Sequence, residues 1–116
     1  MKITELAKTP VAKNPHNVDV KKLFASPGTA VVVITLQPGE SLKKHVTPVD
    51  VLFYVLEGTV IVEIGDERQG VGKDSLVESP AMIPHTLHNE STALCRVLLI
   101  KMLATGVGNE AQSRQT

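Results

Sequence analysis

At 116 residues the chain is the size of one ordinary domain, with no room for a second. Twelve basic residues balance twelve acidic ones, so the basic footprint that displaces phosphate counterions is missing and no nucleic-acid partner is expected. No segment approaches the roughly 20 apolar residues of a membrane span, and no apolar signal segment follows Met1. A cytoplasmic protein without a membrane partner is the expectation.

In chain order, residues 1–17 carry Pro10, Asn14, Pro15 and Asn17 between short apolar pieces and read as an extended arm. Apolar runs bounded by turn residues follow. Residues 29–36 end at Pro38-Gly39, 49–56 at Glu57-Gly58, and 59–64 at Gly65-Asp66. A shorter run, 75–77, ends at Ser79-Pro80, and the last, 94–103, ends before Gly106. Short strands at this spacing, without a helical period, predict an all-β sandwich or barrel over residues 18–104. Residues 105–116 are polar and uncapped and read as a disordered tail.

Two runs, Ala30-Val31-Val32-Val33-Ile34 and Val51-Leu52-Phe53-Tyr54-Val55-Leu56, are apolar on both faces. An antiparallel strand with one wet face would alternate. These strands are therefore expected to be covered twice, inside by the barrel and outside by the arm or a second subunit, and a homodimer is the preferred account. The single cysteine, Cys95, excludes an intrachain disulfide and is expected to be a buried, inert thiol.

The chemistry is concentrated in two segments. The first runs from Gly39 through His45, Thr47, Asp50 and Val51 to Phe53-Tyr54-Val55-Leu56-Glu57-Gly58. The second is Pro80-Ala81-Met82-Ile83-Pro84-His85-Thr86-Leu87-His88-Asn89. Together they resemble the two cupin motifs: Gly39, His45 and Gly58 match the first, and Pro80, His85 and Asn89 the second. The resemblance implies an all-β double-stranded β-helix, a jelly-roll barrel of six to eight strands.

It also implies a metal held by three His and one Glu. In this chain the second His position is Thr47 and the Glu position is Val51. The glycine of the second motif's P-x-G is Met82, and the glycine that opens that motif is displaced or missing, with Gly72 the nearest candidate. Two of the four ligands, His45 and His85, remain for one divalent ion of the Zn, Ni, Fe, Mn or Cu kind.

The period-two rule puts Thr47, Val51, Phe53 and Val55 on the face of His45, and Leu87 and Asn89 on the face of His85. These six are the expected pocket lining, with His45 and His85 facing each other across the cavity from opposite sheets. His88 falls on the other face, Asp50 is out of phase, and His16 in the arm carries no signal.

Three functions are open on this reading. The first is binding of a small molecule in a barrel cavity with a residual two-His site. The second is metal-dependent catalysis of dioxygenase, isomerase or decarboxylase type with a divalent ion held by His45 and His85; no catalytic residue can be named. The third is a structural or protein-interaction role without ligand. Catalytic zinc sites keep three protein ligands and non-haem iron sites need a carboxylate, so the losses at Thr47 and Val51 place binding ahead of catalysis.

Overall fold

The computed structural model describes residues 1–102; the expected tail lies outside them. Among the described residues, eight strands form two antiparallel sheets: β1 Asp19–Ala25, β2 Thr29–Leu36, β3 Asp50–Glu57, β4 Val60–Ile64, β5 Glu67–Val71, β6 Leu76–Ser79, β7 His85–His88 and β8 Cys95–Met102. The larger sheet has the order β1-β2-β8-β3-β6 and the smaller β5-β4-β7. Residues 39–45 run beside β7 as an irregular extra edge: Leu42 donates to the Leu87 carbonyl, and His45 and His85 each donate to the other's carbonyl.

The core is built by one phase of each inner strand. Val51, Phe53 and Val55 of β3, Cys95 and Val97 of β8, Leu36, Val60 and Leu87 are fully buried. Period-two geometry turns alternate side chains to one face, and the two sheets interdigitate there. The opposite phase of the large sheet is also apolar. Val31, Ile100 and Leu52 lie in one cross-strand row, and Val33, Leu98, Tyr54 and Leu76 in the next. Val33 is buried, whereas Leu76 is exposed and the others are partly so.

The arm is not wholly extended: Leu6–Lys8 makes one 3-10 turn. Val11 then bridges Lys21 at the β1 edge, Ala12 donates to the Val20 carbonyl, and residues 12–16 cross the mouth of the barrel.

Two turns show why particular backbones are needed. Gly58 has φ +78, and a Cβ there would lie 2.6 Å from the Leu94 carbonyl oxygen, so only glycine fits between β3 and β4. The glycine that would open the second motif, six residues before Pro80, is Asp74, not Gly72: Asp74 has φ +65, while Gly72 is not left-handed. Met82, at the other missing glycine, has φ +70. The second motif thus keeps its left-handed backbone after losing both glycines.

Candidate functional site

His45 and His85 are not set across the cavity from each other. They are directly paired neighbours in the small sheet, exchanging both backbone hydrogen bonds at 3.1 and 2.9 Å. The pairing joins the two motif segments and places the rings edge to face, with centroids 4.5 Å apart and the two Nε2 atoms at 3.2 Å. His45 does not share the strand phase of Val51, because β3 begins only at Asp50 and residues 46–49 are irregular.

The ring protons follow from the partners. His45 Nδ1 lies 2.9 Å from the Lys43 carbonyl, which can only accept, so that nitrogen carries the proton. With both rings neutral, His45 Nε2 is then a bare acceptor, and His85 Nε2 is the donor across the 3.2 Å contact. His85 Nδ1 is left to accept from the Ser79 hydroxyl at 2.9 Å. The relay Ser79, His85, His45, Lys43 carbonyl is complete within the protein. Burial, with smaller repulsions from His45, Lys101 and His16, pushes the His85 pKa down to about 4.

A third imidazole joins them. His16 lies with its ring centroid 5.1 Å from that of His45, and its Nδ1 accepts from the Lys43 amide. Burial first, then the His45, Lys43 and Lys101 charges, lowers its pKa. No local pattern in Asn14-Pro15-His16-Asn17 signals this. It follows from the path of the arm over the barrel mouth.

The cavity beside these rings has a volume of about 480 Å³. His16, His45 and Leu42 line one side, and Val32, Ile34 and Leu99 form the apolar wall. None of the six residues expected to line a pocket forms this wall. Val51, Phe53, Val55 and Leu87 are fully buried core. The Thr47 hydroxyl donates to the Val49 carbonyl. The Asn89 amide donates to the Leu36 and Ala93 carbonyls and accepts from the Ser91 amide and hydroxyl, so its polar atoms are already engaged. The inward phase of β3 is not cavity surface. It is the centre of the packed interior, and the open space lies toward β1, β2 and the arm.

His88 points to the outer face. Its Nδ1 lies 2.8 Å from Ser41 Oγ and its Nε2 2.5 Å from Glu63 Oε2, and Arg68 bridges Glu63 to Glu90. The hydrogen bond from His88 holds the Glu63 carboxyl below the usual carboxylate range. Asp50 is engaged elsewhere, accepting from the Ala81 amide.

Two imidazole nitrogens 3.2 Å apart can both reach one ion at about 2.0–2.1 Å. Among the described residues, however, no group of three or more His, Cys, Asp or Glu side chains is placed to hold a metal. The donor set falls short of the family's four-ligand centre. Nor is any helix among the described residues long and apolar enough to cross a membrane.

Two antiparallel sheets wrapped into a barrel, with one histidine from each motif paired at its inner wall, define a small double-stranded β-helix protein. The chain belongs to the cupin domain family, which it matches over residues 32–101. No curated protein matches it. Among solved structures it is similar to TT1209 from Thermus thermophilus, at 29% identity and a TM-score of 0.77, covering 89% of this chain and 98% of that one. It shares its fold with an RmlC-like cupin from Shewanella frigidimarina, at 13% identity and TM-score 0.79, covering 90% and 92% of the two chains. A predicted oxalate decarboxylase from Thermotoga maritima is similar at 13% identity and TM-score 0.79, covering 89% and 100%. At 13% identity the likeness is one of fold.

Proposed function

We propose that this cupin is a small-molecule-binding barrel, and the observation that supports the reading is the cavity of about 480 Å³ between the arm and the large sheet. Pockets of roughly 300–1,000 Å³ with apolar walls and a few convergent polar groups are ordinary ligand sites. Here the polar groups are the imidazoles of His16 and His45, and the apolar surface comes from Val32, Ile34 and Leu99. The reading is tested by native mass spectrometry of the purified protein, followed by a thermal-shift screen with small metabolites. A co-purifying compound, or a compound that raises the melting temperature, supports it. A ligand-free mass together with a flat screen overturns it.

A second reading, metal-dependent catalysis by a divalent ion on His45 and His85, is favoured by the 3.2 Å separation of the Nε2 atoms. Elemental analysis of untagged protein decides it: a transition metal near one equivalent, lost in His45→Ala and retained in His88→Ala, supports it. Less than a tenth of an equivalent after reconstitution removes it.

We also propose a cytoplasmic homodimer formed on the outer face of the large sheet, where Val31, Leu52, Tyr54, Leu98 and Ile100 make a contiguous, partly exposed apolar surface. Light scattering at micromolar concentration that returned a monomer mass would refute the dimer.

A further inference from the structure

Twelve acidic and twelve basic residues leave the chain neutral as a whole, yet the cavity wall is not. Lys13 from the arm, Lys22 from β1 and Lys101 from β8 line it, together with His16 and His45, and no Asp or Glu does. Lys101 occupies the inward phase of β8, continuing Cys95, Val97 and Leu99. Its side chain is therefore aimed at the interior by the same alternation that packs the core. Lys101 is half-buried, and among the described residues neither it nor Lys22 is ion-paired to a carboxylate.

The register leaves room for a guest next to this ammonium. Lys101 lies across from Ala30, which in turn pairs with Ala25, so the row beside Lys101 is two alanines wide. The adjacent row is Lys22, Val32 and Leu99, which puts a second cation two strands away from the first, on β1, with apolar side chains between them. The Lys101 charge also reaches inward, contributing to the lowered pKa of both His16 and His85. A partly desolvated ammonium on an apolar wall gains most from an anionic partner that brings its own apolar body.

We infer that the cavity selects a small organic carboxylate, its head group held by Lys101 and Lys22 and its hydrocarbon part against Val32, Ile34 and Leu99. This rests on the small-molecule-binding reading and deepens it by naming the ligand's chemical class. The ammonium groups hold the carboxylate as point charges, and the alanine row admits the head group to them.

The test is a titration of the full chain, followed by backbone amide shifts, with hexanoate, its uncharged isostere hexanamide, and hexylamine. The expected result is saturable binding of hexanoate at least tenfold tighter than hexanamide, with shifts at Ala30, Leu99 and Lys101 and weakening as salt rises. Lys101→Met, which keeps the aliphatic stem and removes the charge, should abolish the tenfold preference. Lys22→Met, at an exposed position, should reduce it severalfold. Unchanged melting curves would show that both variants are folded. Equal binding of hexanoate and hexanamide at these residues would overturn the carboxylate inference and leave the small-molecule reading standing. Preference for hexylamine would do the same. Absence of binding by all three would overturn the inference, and the reading itself would fall only with a flat metabolite screen.

Discussion

The two motif segments have kept complementary halves of one pattern. In residues 39–58 the left-handed glycines survive, Gly39 at φ +87 and Gly58 at φ +78, while two ligand positions have become Thr47 and Val51. In residues 74–89 the histidine survives, but both glycines have become Asp74 and Met82, at φ +65 and +70. The backbone takes the same kind of turn in both segments. What differs is what surrounds each turn. Gly58 is pressed against the Leu94 carbonyl and Cys95, whereas Met82 is 67% exposed and has open solvent for a side chain. A left-handed residue can lose its glycine where the only cost is intrinsic, about 1–2 kcal/mol, and cannot where a neighbour already fills the Cβ position.

Four measurements would break or sharpen this contrast. Gly58→Ala should have the largest effect. The intrinsic cost of left-handed backbone adds to a 2.6 Å contact with a carbonyl oxygen, and a loss of about 3–4 kcal/mol is expected in urea unfolding. A loss under about 1 kcal/mol would mean that the Leu94 turn yields readily.

Acidification comes next, because the two histidines are held differently: His85 is buried and His45 is half-exposed. The folded-state pKa of His85 is about 4, below the ordinary value of 6.5, so the unfolded chain binds the proton better. Its stabilising contribution is complete above pH 6.5 and is lost as pH falls toward 4, by about 3 kcal/mol in all. Urea midpoints measured from pH 7.5 to 4 should show that slope, and His85→Gln should flatten it.

Met82→Gly should stabilise by about 0.5–1 kcal/mol, the relief of left-handed strain less the added freedom of the unfolded chain. Destabilisation would show that the Met82 side chain contributes contacts of its own. Asp74→Gly should be smallest, within about 0.5 kcal/mol of zero. The relieved strain is offset there by loss of the exposed hydrogen bond from the Tyr54 hydroxyl, at 3.3 Å. A clear gain would make that bond worthless.

The same residues show how far the chain could be read without coordinates. The barrel was legible because β2, β3 and β8, the strands paired along both edges in the large sheet, are long runs that are mostly apolar on both faces. The strands that went unseen are edges. β1, Asp-Val-Lys-Lys-Leu-Phe-Ala, and β5, Glu-Arg-Gln-Gly-Val, carry charges where one side has no partner strand to exclude water. The motif histidines were legible as a pair, but their relation was not. Spacing along a strand says nothing about which neighbour the segment 39–45 will join, and it joined β7. His16 and Lys101 lay beyond pattern altogether. One depends on where an arm crosses, and the other on a register set by Ala30, some seventy residues earlier.

The central position of β8 has a temporal consequence. β2 and β3, synthesised early, both pair with residues 95–102 and only weakly complete the sheet without them. Emerging from a ribosome, the chain would carry β2 paired only to β1 and β3 only to β6, each with one long apolar edge open until its eighth strand appears. Pairing across such sequence separations makes folding slow and exposes the nascent protein to aggregation.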